Sequence, residues 1–83
     1  MWYCRVCGLA YDYSPWGEDE RTPDYGICEC CGVEFGYEDF TPESTRTYRQ
    51  QWLAAGASWL QPKQRPVAWE LATQLAQVSP AYR

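Results

Sequence analysis

The clearest periodic pattern in the chain is a stripe of apolar residues in its second half. The stripe has the spacing i, i+4, i+7 and i+11, which is one face of an α-helix, and consists of Tyr48, Trp52, Ala55 and Trp59. The residues before it are typical of a helix start. Thr41 suits the N-cap, Pro42 suits the first helical position, and Glu43 places a negative charge in the first turn. The pattern therefore predicts a helix that begins after Thr41 and continues through the stripe.

Gly56 lies beside this stripe and weakens a helix by about 1 kcal/mol relative to alanine. It indicates either that another backbone approaches closely there or that the helix tolerates the glycine. The sequence QPKQRP then interrupts the pattern, and Pro66 can open a second helix. Four later apolar residues share one face of that helix: Val67, Leu71, Leu75 and Val78. We therefore expect a helical hairpin over residues 41–83 that packs its aromatic stripe on the first half of the chain.

The first 40 residues show no helical period and are rich in turn-forming residues. Proline or glycine recurs every few positions, at Pro15, Gly17, Pro23, Gly26, Gly32 and Gly36. Such a segment favours tight turns and short strands, which we predict near Trp2–Tyr3, Tyr11–Tyr13 and Gly26–Ile27, with a loop over residues 14–24. We expect an α+β fold of one domain, residues 1–83, in which residues 1–40 form a ribbon and residues 41–83 pack on it.

The length of 83 residues limits the core, because so short a chain buries only a modest apolar area. Five Trp, seven Tyr and two Phe must supply much of that core, and a metal or disulfide is often needed in addition. No apolar run approaches the roughly 20 residues of a membrane span, and the first residues do not read as a secretion signal. An odd number of cysteines without such a signal predicts reduced thiols and a cytoplasmic location.

The cysteines occur in two Cys-x-x-Cys-Gly sequences, YCRVCG and ICECCG, separated by 20 residues between Cys7 and Cys28. Two intervening residues let both sulfurs of a pair reach one ion, and the following glycine can adopt the positive φ that the turn requires. The two pairs together supply the four thiolates of a tetrahedral zinc site. The predicted metal ligands are Cys4, Cys7, Cys28 and Cys31.

The fifth cysteine, Cys30, lies inside the second pair. Its use as a ligand would require a Cys-x-Cys or an adjacent pair, which are poorer geometries for one shared ion. We therefore interpret Cys30 as a spare thiol on the rim of the knuckle. A redox switch or an intermolecular disulfide remains the alternative for this residue.

These residues carry a resemblance to known proteins. YCRVCGLAYD and ICECCGV resemble the paired metal knuckles of rubredoxins, with Tyr11 and Asp12 placed as in that family. Over nearly its whole length the chain is similar to a rubredoxin-like, cysteine-rich "CPCC" zinc-ribbon family of small, largely uncharacterised bacterial proteins. ICECCGVEFGYED at 27–39 and RQQWLAAGASWL at 49–60 carry that second likeness. The resemblance implies a rubredoxin-like zinc ribbon with short antiparallel strands and two metal knuckles, followed by the helical hairpin.

The chain also departs from true rubredoxins. Its spacer between the knuckles is shorter, Arg5 and Glu29 replace the knuckle prolines, and Gly26 replaces an aromatic residue before the second knuckle. Electron transfer needs no helical hairpin, so the resemblance supports the fold more than it supports an electron carrier.

The charge is unevenly distributed. Residues 1–43 contain ten acidic and two basic residues, whereas residues 44–83 contain five basic residues and Glu70 alone, so the halves carry −8 and +4. The acidic half would repel phosphates, which argues against nucleic-acid binding there, and it favours a basic protein partner. Arg46 and Arg49 can either reach such a partner or pair with the acidic ribbon. We expect a monomer or weak dimer.

The sequence contains no histidine, which excludes Ser-His and Cys-His nucleophile activation, and a four-cysteine site leaves no open metal position for water. We therefore predict that the protein is not an enzyme. The leading interpretation is a structural Zn²⁺ site in a protein-protein interaction module with an acidic face. One concrete form of such a module is an immunity-type protein that caps a basic toxin. The alternative is a rubredoxin-type iron electron carrier, since four thiolates bind either metal.

Overall fold

A computed structural model describes all residues from Met1 to Arg83. Strands β1 (Trp2–Tyr3) and β2 (Ala10–Tyr11) form a two-stranded antiparallel sheet in which Trp2 pairs with Tyr11 and Tyr3 pairs with Ala10. The sheet confirms the predicted first strand, whereas the second covers Ala10–Tyr11 and not the predicted Tyr11–Tyr13. The strand expected at Gly26–Ile27 is reduced to one antiparallel bridge between Ile27 and Glu34, because turns at residues 29–31 and 35–39 follow the two bridge partners.

Helix α1 (Pro42–Ala54) begins where the sequence predicts. Thr41 is the N-cap, its side chain accepts a hydrogen bond from the Ser44 backbone N–H at 3.1 Å, and the Ser44 hydroxyl in turn accepts one from the Thr41 N–H at 3.3 Å. This reciprocal capping satisfies two of the backbone donors that a helix N-terminus leaves free.

The predicted extent of α1 is wrong at its C-terminal end. The helix stops at Ala54, and Gly56 adopts φ +102°, a conformation that ends a helix. A Cβ on Gly56 would meet only the Ser58 hydroxyl, at 4.0 Å, so no other backbone approaches it. The chain reverses here, with Trp52 donating its indole N–H to the Ser58 carbonyl at 2.9 Å. Trp59 is buried as the stripe predicts, but from the turn and not from the helix.

The second predicted helix also has wrong boundaries. Pro66 does not open it, since a 3₁₀ turn spans Pro62–Gln64 and helix α2 covers only Leu71–Leu75. Val67 is therefore completely exposed, whereas Val78 is buried. Residues 66–69 instead form a turn in which the Trp69 N–H donates to the Pro66 carbonyl at 3.2 Å, and the ring of Trp69 packs edge-on against that of Trp59 at 5.7 Å. Tertiary packing therefore competes with the helix here. A second 3₁₀ turn, Pro80–Tyr82, ends the chain against α1.

The core lies between the two cysteine turns and the elements that follow them. Phe35 is its largest fully buried side chain, and the rings of Trp2 and Tyr11 meet it edge-on at 5.5 and 5.6 Å. These contacts join the β1–β2 hairpin to the second cysteine turn. None of the helices has the length and the apolar character that crossing a membrane would require.

Candidate metal centre

The structure brings the four predicted metal ligands together. The sulfur atoms of Cys4, Cys7, Cys28 and Cys31 all lie within 4.8 Å of one another. Two of the separations are 3.8 Å, between Cys4 and Cys31, and 3.7 Å, between Cys7 and Cys28. Four sulfurs bound tetrahedrally at about 2.3 Å would be separated by about 3.8 Å. The spacing of the thiols therefore fits a single metal ion.

The two cysteine turns have the same backbone pattern. The Gly8 N–H donates to the Cys4 carbonyl and the Gly32 N–H donates to the Cys28 carbonyl, both at 2.9 Å. The two glycines have φ +84° and +81°, which side chains other than glycine adopt only at a cost. The local sequence Cys-x-x-Cys-Gly thus explains each knuckle without help from the rest of the chain.

The first knuckle is covered by Gln74 of α2. A Cβ placed on Gly8 would lie only 2.0 Å from the Gln74 carbonyl oxygen, so the two backbones are in direct contact. The Gln74 amide Nε2 donates to the Cys7 carbonyl at 3.2 Å, and its Oε1 accepts from the Trp69 indole at 2.8 Å. Gln74 is itself buried, and α2 therefore closes one side of the site.

The second knuckle is covered by Tyr48 of α1 and by the turn that follows this helix. The Tyr48 hydroxyl donates to the Cys31 carbonyl at 3.1 Å, and the Leu60 N–H donates to the Cys30 carbonyl at 2.9 Å. The second half of the chain thus seals both knuckles. Cys4, Cys7 and Cys28 have no exposed surface and Cys31 is 6% exposed.

Arg49 connects α1 to the first knuckle through backbone carbonyls. Its Nε donates to the Val6 carbonyl at 2.6 Å and its Nη2 donates to the carbonyls of Arg5, at 2.8 Å, and Tyr82. Of the two alternatives for Arg49, the structure shows the side chain turned back onto the ribbon, but its partners are carbonyls and not the acidic side chains that were expected. Arg46 donates instead to the Arg83 carbonyl at 3.3 Å. Burial lowers the pKa of Arg49, and the negative charge that Cys4 carries as a thiolate opposes that shift.

We expect Arg49→Lys to destabilise the fold by about 2 kcal/mol, because one ammonium group cannot replace a planar guanidinium that serves three carbonyls. Urea unfolding of the metal-loaded protein measures this change. Arg46→Lys is the matched control, since it alters a single bond on the same helix and should shift the midpoint far less. Equal shifts for the two variants would contradict the bridging role of Arg49.

The structure corrects the placement of Cys30. The side chain is completely buried instead of lying on the rim, and its sulfur accepts a hydrogen bond from Gln74 Nε2 at 3.3 Å. Cys30 does not belong to the group of four sulfurs that lie within 4.8 Å of one another. A disulfide to another molecule requires an accessible thiol, so the structure does not favour that alternative.

The pKa values of the clustered cysteine thiols shift in different directions. Burial raises the pKa of Cys7 and Cys31, whereas a hydrogen bond from Cys31, followed by those from Cys4 and Cys7, lowers the pKa of Cys28. In the metal-free chain Cys7 and Cys31 thus keep their protons at neutral pH. A metal ion that binds all four sulfurs must displace these protons.

Gln74 and Tyr48 are the residues of the site that the sequence did not indicate. The Cys7–Gln74 and Cys31–Tyr48 contacts join distant parts of the chain, and no short motif marks either residue. The position of Tyr48 in the apolar stripe did predict that it faces the ribbon, though not that its hydroxyl meets a cysteine carbonyl.

Comparison with known proteins finds one distant similarity. The chain is 31% identical to the uncharacterized protein YoaQ of Bacillus subtilis (strain 168), in a match that covers 76% of this chain and 66% of YoaQ. No model of a protein family matches the chain, and no solved structure matches it.

Proposed function

We propose that this chain is a small non-catalytic zinc protein in which Cys4, Cys7, Cys28 and Cys31 hold one structural Zn²⁺. The observation that carries the proposal is the closure of the site: four buried sulfurs at tetrahedral spacing, with both knuckles covered by the second half of the chain. A catalytic zinc needs a coordination position that water or substrate can reach, and four cysteine ligands leave none. Two hairpin-like turns that each present Cys-x-x-Cys-Gly support a rubredoxin-like zinc ribbon.

The same closure favours zinc over the iron of an electron carrier. Rapid electron transfer requires a redox centre close to an accessible surface, whereas Gln74 covers one knuckle here and Tyr48 with Leu60 covers the other. The five free cysteines in the structure also suit a reducing compartment, and we propose a cytoplasmic location.

Protein purified from its native host should contain one zinc per chain and show no absorption in the visible region. Elemental analysis and a visible spectrum, taken before any chelating step, test this directly. A red protein whose iron–thiolate bands bleach reversibly on reduction would replace the structural role with that of an electron carrier.

The second part of the proposed function is binding of a basic protein partner. Three acidic residues, Asp12, Glu18 and Glu20, line a groove of about 390 Å³ that also contains Trp2 and Tyr13. Burial, followed by the charges of Asp24, Asp12 and Glu29, raises the pKa of Tyr13, which agrees with a negative potential at this surface. We call the surface formed by Asp12, Glu18 and Glu20 the acidic face. An immunity-type protein that caps a basic toxin is one concrete form of this function.

Charge reversal of the acidic face tests the partner hypothesis. Asp12→Lys combined with Glu18→Lys should abolish recovery of basic partners in affinity purification from the native host. Asp19 is left unchanged, because its carboxylate accepts hydrogen bonds at 2.9 Å from the Arg21 N–H and from the Thr22 hydroxyl and so supports the loop. Glu70→Lys reverses an exposed charge in the second half and is the matched control. If the parent protein, the Asp12→Lys/Glu18→Lys variant and Glu70→Lys all recover the same partners, the acidic face does not bind them.

A further inference from the structure

Arg5, the residue that replaces the first knuckle proline, is an unusual buried cation. Only 6% of its surface is exposed. Its guanidinium carbon lies 3.7 Å from the centre of the Trp16 ring and 4.5 Å from the centre of the Tyr82 ring. Two aromatic rings thus lie against the guanidinium, a favourable arrangement for a cation removed from water.

The carboxylates near Arg5 are engaged elsewhere. Asp39 is completely buried, and its two oxygens accept hydrogen bonds from the Trp16 indole at 2.8 Å and from the Gly36 N–H at 2.7 Å. Glu20 accepts from the Trp2 indole at 3.1 Å. The one hydrogen bond that the guanidinium makes runs from Nη1 to the Asp39 carbonyl, at 3.3 Å. A guanidinium has five N–H donors, so most of the donors along the edge of Arg5 lack a protein acceptor.

A groove of about 370 Å³ adjoins Arg5. Its lining is formed by Arg5, Trp16, Glu20, Arg21, Phe40 and Tyr82. Phe40 remains 63% exposed although its ring lies 5.9 Å from that of Trp16, so the groove has an aromatic wall that is open to solvent. This volume is at the lower end of the range for small-molecule sites, and aromatic walls with a few polar groups are typical of them.

We propose that this groove binds a carboxylate attached to an aromatic ring. The carboxylate meets the free edge of the Arg5 guanidinium, with Arg21 as a second cation, and the ring packs on Phe40 and Trp16. A planar carboxylate matches the fork of N–H donors along the edge of a guanidinium. Glu20 at the rim would repel a doubly charged anion such as phosphate more strongly than a single carboxylate. The ligand is either a free aromatic acid or the end of a peptide whose last residue is aromatic.

This site is independent of the metal centre and shares only Glu20 with the acidic face. It uses neither a metal-bound sulfur nor Asp12 and Glu18 of the acidic face, and it applies whichever metal the cysteines hold. Loss of partner binding would leave it intact, and loss of ligand binding would leave the zinc site intact.

Titration of the metal-loaded protein with phenylacetate tests the proposal. Saturable changes in NMR chemical shift are expected at the side-chain N–H groups of Arg5 and Trp16. The neutral analogue phenylacetamide should bind at least about tenfold more weakly, because it cannot form a charge-assisted pair with a guanidinium. A short acetylated peptide ending in phenylalanine, compared with its amidated form, separates the two ligand sources. If neither phenylacetate nor the free-carboxylate peptide gives saturable shifts, or if each neutral analogue binds as well as its acid, the proposal is overturned.

Two exposed residues allow a test that does not endanger folding. Arg21→Gln should weaken phenylacetate binding about threefold and Phe40→Ala about tenfold, as expected for a partly exposed charge and for an aromatic wall. Lys63→Gln, which removes a cation from the distant 3₁₀ turn, should leave the affinity unchanged. If both Arg21→Gln and Phe40→Ala bind like the parent protein, or if Lys63→Gln alone weakens binding, the groove is not the site.

Discussion

Cys4→Ser should leave the chain largely unfolded, with no cooperative thermal transition and no stoichiometric metal. The free energy of binding for a structural zinc site is about 10–16 kcal/mol in small zinc-binding peptides, whereas a whole domain is stable by about 5–15 kcal/mol. Loss of one ligand from a core this small therefore removes most of the free energy that opposes unfolding. Circular dichroism melting and metal analysis of the purified variant measure both effects.

Cys30→Ser is the matched control for this experiment. Cys30 is as deeply buried as Cys4, yet only Cys4 belongs to the group of four sulfurs. A serine hydroxyl can still accept the hydrogen bond from Gln74, so we expect a loss of less than about 2 kcal/mol and full metal content. A cooperative, native-like melt of Cys4→Ser, or loss of metal from Cys30→Ser, would contradict the ligand assignment.

Gly8→Ala should be strongly destabilising although it leaves all cysteines in place. The residue has φ +84°, and its Cβ would lie 2.0 Å from the Gln74 carbonyl oxygen, a contact that α2 can relieve only by moving off the knuckle. Backbone strain alone costs about 1–2 kcal/mol, and displacement of α2 brings the expected loss to at least about 3 kcal/mol. Denaturant unfolding of the metal-loaded variant measures it.

Gly56→Ala separates the two causes of that loss. Gly56 has φ +102°, but a Cβ there would meet only the Ser58 hydroxyl, at 4.0 Å. This variant should therefore show the strain of a positive φ, about 1–2 kcal/mol, without the clash. Equal losses at Gly8 and Gly56 would mean that α2 does not press on the first knuckle.

Gly8 and Gly56 also show which features of the fold could be predicted from the sequence. The sequence placed close backbone contact at Gly56 as one of two readings, whereas Gly56 serves the end of α1 and the close contact occurs at Gly8. A positive φ follows from local turn chemistry, so the knuckle glycines could be assigned from Cys-x-x-Cys-Gly alone. The contact between Gly8 and Gln74 joins residues far apart in the chain, and no local pattern encodes it.

In the helices, too, local features could be predicted from the sequence and long-range contacts could not. Thr41, Pro42 and Ser44 act within one turn, and the start of α1 was predicted correctly. Where α2 begins depends on the packing of Trp69 against Trp59, which a periodic pattern of apolar residues cannot reveal. The interpretation of Cys30 as a thiol on the rim of the knuckle was wrong for a related reason, because the burial of Cys30 depends on Gln74 of α2.

The central claim is that four buried thiolates form a closed site for one zinc ion. Zinc-edge X-ray absorption of the protein purified from its native host tests it most directly. We predict one zinc per chain surrounded by four sulfur atoms at about 2.3 Å. A first shell with an oxygen or nitrogen atom, fewer than four sulfurs, or no bound zinc would contradict it.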